Sequence, residues 1–232
     1  MVPIETADVA GRESCLISGG CDLSGKVPFD AHLVQVASLR AGRMLNWHVG
    51  LINEEEMRAI LPLVDVVSFD WVGDDVTIRE VYGLDLGVTD YARTYTMMRR
   101  YVRVVPHLTL GLYRGELRGE YQAVDRLADL GLEALVLLVF IPTPGTRYAQ
   151  CQPPAVDRVA AFIDYVRSKL PNVPLYLGCM RPGGRYRQEL DPLAVAAGVS
   201  KVVNPAQAAV RKALLLGLSV SWESECCVIQ RT

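Results

Sequence analysis

The stretch Leu135-Val136-Leu137-Leu138-Val139-Phe140 decides the fold of this chain, because it is apolar at every position. A strand with one face in water alternates apolar and polar residues, whereas a strand buried on both faces is a continuous apolar run. Strands of the second kind occur in parallel sheets that helices cover. The stretch therefore predicts a parallel α/β protein, with residues 134–141 as one of its strands.

Similar apolar segments recur along the chain and alternate with segments of helical periodicity. The predicted strands are 14–18, 44–47, 65–69, 103–109, 134–141, 174–178 and 200–203, with a last β-like piece at 219–222. The predicted helices are 29–41, 54–61, 88–101, 118–130, 154–170, 192–197 and 207–216. Alternation over the whole length predicts either a doubly wound sheet or a (β/α)8 barrel.

Two features favour the barrel. The sequence has no Gly-x-Gly-x-x-Gly turn of the dinucleotide-binding sheets, and polar or unusual residues follow nearly every predicted strand. A barrel brings all of these strand ends to one face, where barrel enzymes keep their sites. The first strand begins very early in the chain, so we predict a TIM-type barrel of parallel strands that lacks its first strand, unless 219–222 closes it. The barrel is assigned to residues 1–217, and residues 218–232 form a tail whose Cys-Cys pair packs near the barrel mouth.

Composition excludes several classes of partner. The 232 residues have a formal net charge of -2, which gives no electrostatic reason to expect nucleic acid. No apolar run approaches the roughly 20 residues that span a membrane, and the first residues do not resemble a signal peptide. We therefore expect a cytoplasmic protein. In that reducing compartment, the six cysteines favour metal binding, redox roles or core packing over disulfides.

The cysteines divide by their position relative to the strands. Cys15 lies within the first strand and is predicted to be part of the core. The metal-binding candidates either follow a strand or lie in the tail; they are Cys21, Cys179, Cys226 and Cys227. Four thiolates suit zinc or an iron–sulfur cluster, although the spacing matches no strong zinc pattern.

Several other strand ends have side chains that could bind a polar ligand. His48 and His107 are predicted either to contact a ligand or metal or to be core histidines bonded to the backbone. Asp70 could bind the hydroxyl groups of a ligand. Arg181, which lies near Cys179 in the sequence, suits an anionic group or a metal cluster. The proline-rich turn at residues 140–146 could form a flat wall for a ring or could simply be a tight connection.

Taken together, these motifs resemble those of radical S-adenosylmethionine enzymes. The matching segments are Leu16-Ile17-Ser18-Gly19-Gly20-Cys21-Asp22, Val66-Val67-Ser68-Phe69-Asp70, Val105-Pro106-His107, Phe140-Ile141-Pro142-Thr143-Pro144-Gly145-Thr146 and Gly178-Cys179-Met180-Arg181. Within that superfamily the chain most resembles a subunit of the archaeal-type two-subunit lipoyl synthase, followed by biotin synthase. The likeness spans nearly the whole chain.

The resemblance implies a full or partial barrel that binds S-adenosylmethionine and one or more 4Fe-4S clusters and inserts sulfur into a C–H bond. The implied catalytic residues are His48, His107 and Arg181. The implied cofactor-binding residues are Gly19, Gly20, Asp22, Ser68, Asp70, Thr109, Ile141 and Pro142. The four candidate cysteines would hold an auxiliary cluster. The implied partners are a second radical S-adenosylmethionine subunit, an electron donor, and a lipoyl-carrier protein or small-molecule substrate.

The chain departs from the family at one point. The Cys-x3-Cys-x2-Cys motif of the first strand does not occur in the sequence, and Met1-Val2-Pro3-Ile4 resembles the sequence that follows it. This departure predicts a chain truncated at its start and inactive alone. Two alternatives remain: a zinc-dependent barrel hydrolase or lyase, and a non-catalytic scaffold or partner subunit.

Overall fold

The chain folds as a curled half-barrel of parallel strands. The computed structural model describes residues 13–229. Within that range the strands are β1 (Ser14–Ile17), β2 (Met44–His48), β3 (Val66–Asp70), β4 (Arg103–Leu110), β5 (Leu135–Val139), β6 (Leu175–Leu177) and β7 (Lys201–Val202). They pair in sequence order and every pair is parallel. Sequential order confirms the barrel prediction, because strand order reverses in a doubly wound sheet.

Helices follow the strands and cover the outer face of the sheet. The α-helices of the described range are α1 (Leu33–Leu39), α2 (Glu54–Ile60), α3 (Asp75–Thr77), α4 (Val88–Met98), α5 (Glu120–Leu130), α6 (Val156–Lys169), α7 (Gly184–Ala196) and α8 (Gln207–Leu215). Helix α3 continues into a π-helix at Ile78–Tyr82. Short 3-10 turns lie at Asp30–His32 and Leu61–Leu63. Within residues 13–229, every helix is too short or too polar to cross a membrane.

Alternate positions of each strand face opposite sides of the sheet. On the outer side, residues such as Val104, Leu108 and Leu137 are buried in the large core with the helices. On the opposite side, here called the concave face, Val105 and Val136 form a smaller apolar cluster. Each fully buried Val or Leu stabilises the fold by about 1.5–3 kcal/mol, so the larger outer core dominates the stability.

The tail closes the open side of the half-barrel. Residues 218–225, here called the strap, run between the two edge strands. Lys201 of β7 forms an ion pair with Glu223 at 2.6 Å, and the Ser14 hydroxyl of β1 hydrogen-bonds to Glu225. The strap therefore joins the edges without pairing to either strand.

Residues 226–229, here called the plug, then enter the concave face. Cys227, Val228 and Ile229 are buried in its apolar cluster. The carbonyl oxygens of Val228 and Ile229 accept hydrogen bonds from Arg103 at 2.7 Å and Lys201 at 2.9 Å. These two residues begin β4 and β7, so the plug ends in the amino-terminal part of the concave face.

Two predicted elements differ from the structure. Residues 219–222 form no strand, because they lie in the strap with Trp222 68% exposed and no neighbouring ladder. The helix predicted at 192–197 begins at Gly184 instead, and Pro192 lies inside it. Proline favours the first turn of a helix, which misplaced the predicted start. The segment Met1-Val2-Pro3-Ile4 lies outside the described residues.

Candidate functional site

Three ionisable side chains meet where β2 and β3 end, beside the carboxyl half of β4. His48 Nδ1 lies 3.8 Å from Asp70 Oδ2, and the His48 and His107 ring centroids are 5.4 Å apart. The parallel register causes this meeting, because Asp70 pairs with His107 across the β3–β4 ladder. His107 is buried, whereas the Asp70 side chain is 54% exposed. The cluster is thus reached from solvent at Asp70, and the space in front of these three side chains is here called the recess.

The environment fixes the protonation of two members of this cluster. His107 Nδ1 lies 3.1 Å from the Val105 carbonyl oxygen, which can only accept, so Nδ1 has the proton and Nε2 has a lone pair. Burial lowers the pKa of His107 to about 4, which keeps the ring neutral at pH 7. Burial opposes ionisation of Asp70, but contact with His48 and the nearby His107 hold its pKa below the ordinary value. Asp70 is therefore the anionic member.

A second layer of polar side chains lies beneath the cluster. Ser68, a predicted cofactor-binding residue, donates its hydroxyl to Asn46 Oδ1 at 2.9 Å, and both side chains are buried. Asn46 Nδ2 in turn donates to Cys226 Sγ at 3.4 Å. Ser68 therefore orients Asn46, and Asn46 orients a thiol of the plug. Sequence reasoning missed Asn46, although a polar residue within an apolar strand is a usable signal of a buried partner.

The plug brings two predicted thiols against His107. Cys226 Sγ and Cys227 Sγ are 3.8 Å apart, and Cys227 Sγ lies 3.6 Å from His107 Nε2. The hydrogen bond with Cys227 lowers the pKa of Cys226, whereas the same bond and burial raise the pKa of Cys227. Cys226 is therefore the thiol of the pair that ionises more readily.

The four predicted metal-binding cysteines are not gathered into one group. Cys21 and Cys179 are exposed on turns after β1 and β6, whereas Cys227 is buried. Within residues 13–229, no three side chains of His, Cys, Asp or Glu are placed to hold a metal ion. A 4Fe-4S cluster needs several converging thiolates, so the donor set of the described residues does not fit it.

The rim of the recess has further titratable groups. Partial desolvation is the main cause that raises the pKa of Cys21, and the negative charge of Asp70 adds to it. The same two causes raise the pKa values of Tyr82 and Tyr91. Tyr82 ends the π-helix, a conformation frequent at functional sites. All three side chains therefore stay neutral near the Asp70 carboxylate.

The other predicted cofactor-binding residues lie near the carboxyl ends of β4 and β5 or in the turn after β1. Gly19 and Gly20 lie in the turn after β1, and a Cβ on Gly20 would meet nothing within 4 Å. Asp22 orders this turn by accepting from the Ser24 amide at 2.8 Å. Those on β4 and after β5 are half-buried: Thr109, Ile141 and Pro142.

Arg181, a further predicted catalytic residue, lies in the turn after β6. Its guanidinium is fully buried and forms two 2.8 Å bonds to the Asp191 carboxylate and one 2.5 Å bond to the Gly178 carbonyl. These contacts connect the β6 turn to helix α7. The structure therefore shows Arg181 in a buried ion pair with Asp191.

Comparison with known proteins adds evidence on the fold. No protein-family model matches the sequence, and no curated protein matches it. Among solved structures, the chain is similar to the FeFe-hydrogenase maturase HydG from Carboxydothermus hydrogenoformans, with a TM-score of 0.65 and 15% identity over 83% of this chain and 47% of that chain. It therefore spans about half the length of HydG.

Two further structures show the same fold. Methylornithine synthase (PylB) has a TM-score of 0.67 and 12% identity over 94% of this chain and 71% of that chain. The HMG-CoA lyase from Brucella melitensis has a TM-score of 0.58 and 13% identity over 82% of this chain and 73% of that chain. These likenesses define the chain as a partial (β/α) barrel.

Proposed function

We propose that this chain is the barrel part of a radical S-adenosylmethionine enzyme of the sulfur-insertion type, resembling lipoyl synthase. The main support is the cluster of His48, Asp70 and His107 toward the carboxyl ends of three adjacent strands. Barrel enzymes keep their sites on this face. The sequence motifs that resemble the superfamily fall on these strand ends, and HydG and PylB share the fold.

The charges of the recess suit S-adenosylmethionine, whose sulfonium and amino groups are cationic. Asp70 is the ionised, accessible group at the opening, so it attracts a positive ligand and can accept its hydrogen bonds. His107 is neutral, and the His48 ring contacts both the His107 ring and Asp70. The plug residues Cys227, Val228 and Ile229 pack in the apolar cluster of the concave face that also includes Val105, two residues before His107. Asp70 is thus the proposed binding residue, and the two histidines position it.

The described residues do not fit a 4Fe-4S cluster, so no chemical step is assigned to one here. We propose that a second radical S-adenosylmethionine subunit supplies the cluster cysteines and receives electrons from a donor protein. The substrate is a lipoyl-carrier protein or a small molecule. The HMG-CoA lyase shares the fold, but the zinc-enzyme alternative needs a ligand group that residues 13–229 do not gather. The scaffold alternative predicts an empty recess.

Equilibrium dialysis with S-adenosylmethionine tests the proposal. We expect about one molecule bound per chain, and we expect Asp70→Asn to weaken binding at least about tenfold, because losing one charge contact near the surface costs roughly 1.4 kcal/mol. S-adenosylhomocysteine, with a neutral sulfur, should bind more weakly than S-adenosylmethionine.

The matched control is His32→Gln, since His32 is exposed on a 3-10 turn outside the cluster. This variant should bind as the wild type does. The proposal is wrong if the folded wild type binds no S-adenosylmethionine, which would favour the scaffold. It is equally wrong if Asp70→Asn and His32→Gln bind with the same affinity.

A further inference from the structure

We propose that Cys226 and Cys227 form a redox-reactive dithiol site that takes small organic disulfides as its oxidant and closes into a vicinal disulfide. The proposal rests on contacts of the plug and does not depend on the proposed function. Three distances define the site: 3.8 Å between the two sulfurs, 3.4 Å from Asn46 Nδ2 to Cys226 Sγ, and 3.6 Å from Cys227 Sγ to His107 Nε2.

Cys226 is the attacking sulfur. It receives a hydrogen bond from the Asn46 amide and can receive a second from the Cys227 thiol, and both donors stabilise a thiolate. The thiolate is the nucleophilic form of cysteine. Cys226 is also only partly buried and follows the exposed strap residues 221–224. A small disulfide can therefore reach it from solvent.

Cys227 is the resolving sulfur. It is 6% exposed, so a solvent molecule cannot easily reach it. Its hydrogen-bond partner Nε2 of His107 has a free lone pair, because the proton of that ring is held at Nδ1 by the Val105 carbonyl. His107 is thus placed to accept the Cys227 proton when Cys227 attacks its neighbour.

The reaction balances in two exchanges. The Cys226 thiolate attacks one sulfur of the disulfide RSSR, which forms a mixed disulfide and releases RS⁻. Cys227 then gives its proton to His107 Nε2, and its sulfur attacks Cys226 Sγ. The Cys226–Cys227 bond forms and a second RS⁻ leaves with the proton from His107 as RSH. The two protein sulfurs are oxidised by two electrons, and RSSR is reduced to two thiols.

The covalent geometry of the Cys226–Cys227 disulfide makes it easy to reduce. Adjacent residues have Cα atoms about 3.8 Å apart, below the roughly 4.4–6.8 Å span of ordinary disulfides. The ring is therefore strained, and strained disulfides are the more readily reduced ones. Excess reducing agent should reopen the ring completely.

Peptide mapping of the full-length protein tests the proposal. Trypsin cleavage after Lys212 and Arg231 releases a peptide that contains Cys226 and Cys227 and no other cysteine. The protein is incubated with 2-hydroxyethyl disulfide at pH 7, alkylated with iodoacetamide and digested with trypsin. The masses of the peptides are then measured by mass spectrometry. We expect this peptide to lose two hydrogens and take up no alkyl group. The native protein should react at least about tenfold faster than the protein in urea, where the donors are absent.

Three results would overturn the proposal. The peptide could remain a dialkylated dithiol, it could have two separate mixed disulfides, or it could close equally fast in urea. A full two-hydrogen loss that an excess of dithiothreitol reverses supports the proposal without any variant.

Variants then test the assigned roles. His107→Gln should accumulate the mixed disulfide on Cys226, because the acceptor of the Cys227 proton is lost, whereas His32→Gln should close as the wild type does. Asn46→Asp keeps the size and the Ser68 contact but places a negative charge beside Cys226, so the first exchange should slow about tenfold. If His107→Gln closes as fast as His32→Gln, the proposed proton transfer is wrong.

Discussion

Replacing Asp191 with Asn should destabilise this protein more than any ordinary ion-pair substitution. Arg181 and Asp191 both have side chains that are 0% exposed, and two 2.8 Å bonds join them. Asp191 Oδ2 also accepts the Ala206 amide at 2.8 Å, just before helix α8. The substitution removes the only formal counter-charge in this contact and leaves a buried guanidinium facing a neutral amide.

The structure sets the magnitude. Breaking a buried pair by neutralising one partner costs about 3–5 kcal/mol, because the remaining charge stays desolvated. For a domain of 150–250 residues each kcal/mol lowers the melting temperature by roughly 2–4 °C, so the fall should be roughly 6–20 °C. Urea unfolding followed by circular dichroism measures the free energy directly.

The same helix offers a matched control. Arg185 and Glu189 also form an ion pair in α7, but their side chains are 92% and 46% exposed. Solvent screens this pair, so Glu189→Gln should change the free energy of unfolding by less than about 0.5 kcal/mol. An Asp191→Asn cost below about 1 kcal/mol, or one equal to that of Glu189→Gln, would refute the structural role assigned to Arg181.

Two further predictions concern His107 and Gly115. The His107 pKa falls from 6.5 to about 4 on folding, so the unfolded chain takes up a proton first and stability is lost as the pH falls through that window. The free energy of unfolding should be about 3 kcal/mol lower at pH 4 than at pH 7 because of this group. Urea unfolding of the wild type should therefore show a larger loss between these pH values than urea unfolding of His107→Gln. Equal losses in the two proteins would contradict the prediction. At Gly115 (φ +85°) an added Cβ would lie 1.8 Å from the Gln152 carbonyl oxygen, whereas at Gly42 (φ +73°) it meets nothing within 4 Å. Thermal unfolding should therefore show Gly115→Ala to cost at least about 2 kcal/mol more than Gly42→Ala, and similar costs would contradict the clash.

The local pattern of apolar and polar residues was sufficient to predict the fold and the cluster of His48, Asp70 and His107. The apolar run at Leu135–Val139 is buried on both faces of the sheet, as parallel strands require. His48, Asp70 and His107 were identified because parallel strands place their carboxyl ends on one edge. The structure confirms that these three side chains meet.

The local sequence pattern does not predict contacts between residues that are far apart in the chain, or the direction in which a side chain points. The plug contacts Asn46 and His107 across 180 and 120 residues, and no local periodicity specifies such a return. The sequence predicts Arg181 as a site residue because Cys179 lies two residues before it. Its direction is instead set by Asp191, which the continuation of α7 through Pro192 brings opposite to it.

His107 joins the two proposals, because it contacts both of the sites that they describe. Its ring lies against His48 on the side of the open recess, and its Nε2 faces Cys227 on the side of the plug. Closing the Cys226–Cys227 bond removes the Cys227 thiol as the partner of Nε2 and removes the thiolate of Cys226, so the electrostatic environment of this ring changes. Any ligand whose affinity depends on the charge near Asp70 must then bind with a different free energy to the oxidised protein. By thermodynamic reciprocity, the same ligand must shift the dithiol equilibrium by an equal amount. The tail therefore acts as part of the recess as well as the closure of the half-barrel.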